Sequence, residues 1–272
     1  MNIRNLTYIL YTEWLKVRNY RTFWLLAGLY TLTLLLLLFS LQGILNNVTV
    51  NINTKSPLPI PEYPVYSFPG VWQNLTYIAG FLKMFPAFLI IILITNEFTF
   101  TTYKQQIISG SRRMEFLTAK TLMVAILSVG IALLIGISGM IAGLLQQSPD
   151  YEAIVSRKLI FLASHALELF TYLMFASILA FLFRRAGITI IVFLLYSFII
   201  ERILVFRLPD AVGRFLPLEA CSNLVPLPNS ALMKIFGVSF SEYTSVADAG
   251  ICFVWAMIFY LLIYWLLRKR DL

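Results

Sequence analysis

Long apolar runs separated by short charged segments dominate the chain. A helix crosses the hydrocarbon of a bilayer with about 20 apolar residues, and six runs reach that length: 23–45, 72–95, 121–145, 159–183, 187–206 and 249–267. The first, third and sixth carry no charge. Lys83 interrupts the second, His165 and Glu168 lie in the fourth, and Glu201 and Arg202 sit near the far end of the fifth. Six crossings place both termini on one side. The first run is longer than the roughly 7–15 residues of a signal-peptide core and no A-x-A-like site follows it, so it reads as a retained span.

The segments between the runs have their own patterns. In 1–22, Ile3, Leu6, Leu10, Trp14 and Val17 recur at spacings of three and four, with Arg4, Thr12, Glu13, Lys16 and Arg18 between them. That is one apolar stripe on a charged helix, which predicts an interfacial helix in the headgroup plane. A plain basic flank accounts for the charges but not for the stripe. Prolines at 57, 59, 61, 64 and 69 predict an extended, irregular 46–71. Asn47-Val48-Thr49 and Asn74-Leu75-Thr76 match the glycosylation pattern, which is too short to be specific.

Segment 96–120 predicts two helices. Phe100, Tyr103 and Ile107 fall on one side of the first, with Lys104 and Gln105 beside them; Ser109-Gly110-Ser111 breaks it. The second begins near Arg112 and runs into the third span. This is either a docking surface for a soluble partner or a basic loop serving topology alone. In 207–248, the apolar stretches 211–216 and 232–240 are too short to span and are broken by Pro209, Pro217, Pro226 and Pro228. They predict a re-entrant or interfacial hairpin, with a compact loop packed on the helix ends as the alternative. The fold class is therefore all-α: one transmembrane domain over 1–272, six spans, an N-terminal interfacial helix and an external hairpin between spans five and six.

Composition agrees. The chain is 60% hydrophobic and 12% charged, where soluble domains carry about 25% charged residues. This excludes a water-soluble enzyme or nucleic-acid-binding module, and equally a disordered chain. The net charge of +8 is a topology signal. Thirteen basic residues (Arg4, Lys16, Arg18, Arg21, Lys104, Arg112, Arg113, Lys120, Arg184, Arg185, Arg268, Lys269 and Arg270) fall on one face, against six on the other. The positive-inside rule then places both termini in the cytoplasm, and nucleic acid is not needed to explain the charge. Cys221 and Cys252 have neither a disulfide framework nor metal-ligand spacing; one bridge between them is possible, and two unpaired thiols fit better.

Ionisable groups within spans are costly and often functional. Counting 1.5 Å per residue, Lys83 lies about 16 Å and Glu168 about 14 Å below the outer ends of their spans, so the two can pair. His165 stands one turn above Glu168 on the same face. The group is either an interhelical polar lock or the lining of a substrate path, proton relay or metal site; with one histidine in the chain, no metal site is expected. Glu201 and Arg202 mark a span boundary or gate release beneath the hairpin, and Glu201 is counted with Lys83, His165 and Glu168 in one intramembrane polar cluster. Ser128, Ala132 and Gly136, then Gly139 and Gly143, recur at four-residue spacing and let another helix approach closely; the first run, with Leu34–Leu38 and no such stripe, is expected to face lipid or to pack loosely.

The whole layout resembles the permease subunit of type 2 ABC exporters, most closely the bacterial half-size permeases. The local features are Asn96-Glu97-Phe98 closing the second span and Ser109-Gly110-Ser111-Arg112-Arg113-Met114-Glu115-Phe116-Leu117 leading into the third. Glu97, Gly110, Ser111, Arg112 and Phe116 occupy places where that family carries an acidic residue, a Gly turn and a Ser-Arg lead-in. The resemblance implies a coupling loop seated in a separate ATPase subunit, with Glu97, Tyr103, Lys104, Gly110, Ser111, Arg112, Arg113 and Phe116 in it. It also implies a second permease copy or paralogue, membrane lipid around the bundle, and a bacterial cytoplasmic membrane location. ATP and magnesium are then expected in the partner, since the chain has no G-x-x-x-x-G-K-[ST] loop and is not expected to be an enzyme or to bind a cofactor itself. The cargo would be an amphipath such as a lipid, peptide or drug. The competing classes are an ion-coupled carrier or channel, for which no matching halves are visible, and a membrane-embedded enzyme, for which H-E-x-x-H, G-x-S-x-G and an aspartate pair are all missing.

Overall fold

The computed structural model describes residues 3–53, 65–110, 112–145, 158–228 and 243–269, the side chains of 3–10, 41–42, 44–53 and 210 excepted. Among the described residues every regular element is helical: α1 (Ile3–Arg18), α2 (Arg21–Asn53), α3 (Gly70–Phe81), α4 (Met84–Thr99), α5 (Thr102–Ile108), α6 (Arg113–Leu145), α7 (Ile160–Phe183), α8 (Ala186–Leu195), a π-helical turn (Tyr196–Ile200), α9 (Glu201–Arg207), α10 (Asp210–Gly213), α11 (Pro217–Ser222) and α12 (Val246–Lys269). Five helical stretches are long and apolar enough to cross a membrane, or six if the bent pair α3–α4 is one span. The chain is a multi-pass membrane protein.

Helix α7 is the hub. It packs against α3, α4, α6, α8, α11 and α12 and is apolar almost all round, as a helix enclosed by others must be. Phe161, Leu169, Leu173, Ala176 and Ala180 are buried on it, together with Ser164, His165 and Glu168. The polar groups of the fourth span therefore point into protein, not lipid.

Three expectations need correction. The second span is not straight: α3 and α4 meet at 50° around Leu82 and Lys83. Pro86 falls in the first turn of α4, where a missing N–H is tolerated, so the bend requires no break inside either helix. Secondly, α2 does not end near residue 45 but continues to Asn53. The propensities of 46–53 are poor, but extending an established helix is far easier than starting one. Thirdly, the first span is not wholly lipid-facing. Tyr30, Leu34 and Leu38 form a buried stripe while Leu25, Leu29, Leu32 and Leu36 face outward.

The small-residue stripe is an internal seam. A Cβ at Gly136 would stand 3.2 Å from Leu162, and one at Gly139 would stand 3.0 Å from Trp72; at Gly143 it would run into the Phe68 ring. These contacts hold α6 against α3 and α7 within one subunit. Asn74 is buried and donates to the Val65 carbonyl, so its sequon is not a glycosylation site. Of the segment between the last two spans, α10 and α11 are short helical turns: the Pro209 carbonyl accepts from the Val212 and Gly213 N–H groups to start the first, and Pro217 is the first residue of the second, after Leu216. The stretch 232–240 lies outside the described residues.

Candidate functional site

At one end of the bundle the chain leaves α4, forms α5 and turns back into α6. Thr101 takes a left-handed conformation (φ 58°) between α4 and α5, and Gly110 (φ 101°) takes another after α5; the second suits only glycine well. Tyr103 anchors α5. Its ring lies 4.7 Å from that of Phe116 and 5.3 Å from that of Phe98, and both of these contact Phe181 of α7. Burial pushes the Tyr103 hydroxyl up in pKa, against the opposing pull of Arg113 and Arg184. Lys104 and Gln105 point outward, and Ile108 is 82% exposed. Phe100 does not join Tyr103 on α5 as the spacing predicts; it caps the end of α4 and is exposed. The next helix starts as expected. The Arg112 N–H donates to Glu115, half of a capping box, and Arg113 donates to the Leu267 and Arg268 carbonyls at the end of α12. Ser111 lies outside the described residues.

Directly beneath α5 is a charge knot that sequence reasoning missed. Lys120 of α6 is 4% exposed in its side chain, and its ammonium donates at 2.5 Å to both Glu97 of α4 and Glu13 of α1. Lys16 of α1 donates to the same two carboxylates, at 2.6 Å to Glu13 and 3.0 Å to Glu97. Two cations balance two anions. Burial alone would raise the Glu13 carboxyl, but Lys120 and Lys16 outweigh it and hold the group below the usual carboxylate range. The interfacial helix, the end of α4 and the start of α6 are thus tied together where α5 departs. On the other side of Glu97 lies a cavity of about 450 Å³ lined by Tyr103, Lys104, Arg184 and Arg185. The Arg184 guanidinium sits 5.0 Å over the Phe98 ring.

A second polar centre lies within the spans. Lys83, at the α3–α4 bend, places its ammonium 2.7 Å from Glu168 and 5.0 Å over the Tyr172 ring; His165 Nδ1 is 3.2 Å from the other Glu168 oxygen. Lys83, His165 and Glu168 therefore come together, as their depths suggest. Glu201 does not join them. It accepts from the Leu218 and Glu219 N–H groups, at 2.7 and 2.8 Å, and so holds the start of α11 on α9. Arg202, its side chain 64% exposed, also reaches α11 and pairs with the Glu219 carboxylate at 3.2 Å. Lys83, Glu168, Tyr172 and Arg202 line a cavity of about 220 Å³, roofed by Leu218 and Ser222 of α11. Nearby, Cys221 and Cys252 are buried free thiols with their sulfurs 3.6 Å apart. Among the described residues no three His, Cys, Asp or Glu side chains gather as a metal site.

No protein-family model, curated protein or solved structure matches the chain. The geometry and the sequence layout carry the functional reading.

Proposed function

We propose that this chain is the membrane subunit of an ATP-driven exporter of the type 2 ABC class, with six spans and both termini in the cytoplasm of a bacterial cell. It would couple hydrolysis in a separate ATPase, which supplies the ATP and magnesium site, to movement of an amphipath. A second permease copy or paralogue would complete the transporter. The observation that carries the reading is α5. It is a seven-residue helix anchored by one buried ring, leaving α4 just past Glu97 of the charge knot, and directing Lys104, Gln105 and Ile108 outward. Ile108 beside Lys104 and Gln105 gives this end of the bundle a mixed apolar and polar face that a soluble partner could seat.

The test is co-purification of the full chain with the ATPase encoded nearest to it, followed by transport in vesicles. Arg112→Glu reverses an exposed charge, and Gly110→Pro removes the left-handed turn. Loss of ATPase association in either variant, with the bundle still folded, is expected; association and transport surviving both would rule out the docking role. The Lys83–Glu168–His165 centre favours a second reading, an ion-coupled carrier or channel. Under that reading a proton or ion gradient drives transport with no ATPase bound.

A further inference from the structure

The chain has two cysteines, and the fold brings them together from 31 residues apart. Cys221 sits in the last turn of α11 and Cys252 lies two turns into α12; both are fully buried and their sulfurs meet at 3.6 Å. A disulfide draws its sulfurs to about 2.05 Å, so this pair stands roughly 1.5 Å short of a bond. Joining the two leaves no odd thiol in the chain.

The contact falls where a covalent link would matter. On the α9 side, α11 is held by Glu201, which accepts from the Leu218 and Glu219 N–H groups, and by Arg202 paired with Glu219. The chain just before α11 is tied to α12: Trp255 donates to the Phe215 carbonyl at 2.8 Å and Arg214 to Asp248 at 2.7 Å. Water can replace each of these bonds. The two sulfurs are the one place where a bond that water cannot replace would fix α11 to α12, and α11 roofs the Lys83 cavity through Leu218 and Ser222.

Segment 207–248 lies opposite the termini. Under the orientation proposed above, on which the compartment rests, that is the side away from the cytoplasm, where disulfides form and persist. Burial then acts in two stages. Before α11 seats, both thiols are open to oxidation; once it seats, the bond is shielded from dissolved thiols.

We propose that Cys221 and Cys252 form a disulfide that staples α11 to α12 and fixes the roof of the Lys83 cavity. The oxidant is an organic or protein disulfide. One cysteine thiolate attacks it, forming a mixed disulfide and releasing one thiol; the second cysteine then displaces the remaining sulfur. The cysteines together lose two electrons, the oxidant leaves as two thiols, and those thiols carry away the two cysteine protons.

The experiment expresses the full chain in bacterial cells, quenches with acid, alkylates in denaturant and digests without reduction. Mass spectrometry is expected to find the Cys221 and Cys252 peptides joined, lighter by two hydrogen atoms than the paired thiol forms. Phosphine reduction should return two alkylated thiols, and Cys221→Ala or Cys252→Ala should abolish the joined species. In parallel, cell-free translation into nanodiscs with oxidised glutathione offers the oxidant to both faces before α11 seats. Free thiols, glutathione adducts or disulfide-linked dimers there, without the joined peptide, would overturn the proposal whatever the orientation. Joining in nanodiscs but free thiols in cells would uphold the pair and refute the orientation. Amide exchange in 217–222 should slow by on the order of tenfold or more in the oxidised protein relative to the reduced one, with the interior of α7 unchanged. Equal exchange in the two forms would refute the staple.

Discussion

Replacing Lys120 with Met is the most direct probe of the charge knot. In the native protein two ammonium groups face two carboxylates; the variant leaves Lys16 alone with Glu13 and Glu97. Lys120 is 4% exposed and Lys16 is 31% exposed, so the group removed is the better buried and the one left is partly screened. Breaking a buried pair by deleting one partner costs about 3–5 kcal/mol. Because Lys16 still touches both acids, about 3 kcal/mol is the expected loss. Lys16→Met removes a screened partner and should cost no more than about 1 kcal/mol. Adding Glu97→Gln to Lys120→Met restores neutrality and should recover about 2 kcal/mol, a coupling that independent sites would not show. The assay is built into the bundle. Cys221 and Cys252 are fully buried, so a dye that fluoresces on thiol reaction reports opening as the detergent-solubilised protein is denatured. If Lys120→Met costs no more than Lys16→Met, or if the double change is additive, the knot is not a buried, mutually dependent unit.

Three further outcomes follow from the geometry. Glu13 has its pKa lowered from the carboxylate reference of 4.5, so its share of stability is complete above that pH and is lost as pH falls below it through the folded-state value; Glu13→Gln should lower the neutral plateau of a stability–pH curve and flatten its acid limb. Gly143→Ala drives a methyl into the Phe68 ring and should cost about 1–3 kcal/mol, relieved by adding Phe68→Leu, whereas Gly130→Ala meets nothing within 4 Å and should be neutral or stabilising in the same thiol-dye assay. Tyr103→Ala removes the ring that seats α5 and should cost about 3 kcal/mol locally; amide exchange should then quicken in 102–108 and stay slow in α7, and uniform acceleration would mean that the ring supports the whole bundle.

What the sequence disclosed was periodic or additive. Apolar run length located the spans, and depth counting brought Lys83 level with Glu168 because both counts start from the same end of the bundle. The i, i+3 relation of His165 to Glu168 is local and carried through. The knot was not legible in this way. Glu97 and Lys16 are 81 residues apart, and no periodicity links an interfacial helix to the end of another span. Glu13, Lys16 and Lys120 each look like ordinary headgroup charges. The usable signal was that Glu97 and Lys120 bracket one loop at the same boundary while Glu13 shares that boundary. Glu201 was misplaced because its partners are backbone amides of α11, which no side-chain pattern announces. The bend at Lys83 and the length of α2 depend on what neighbouring helices and established helical turns permit, and composition does not record that.

The π-helical turn at Tyr196–Ile200 has no fully buried side chain, yet it sits immediately before Glu201, which is buried and holds α11. Each residue advances an α-helix by about 100°, so the extra residue in a π turn resets the face on which everything after it lies. Removing one residue from 196–200 would swing Glu201 away from the α11 amides and turn Arg202 off the cavity. Exchanging the exposed side chains of Phe198, Ile199 and Ile200 would not move Glu201. At those three exposed positions the protein constrains the count of residues more tightly than their identity, so drift by substitution is open there and drift by deletion is closed.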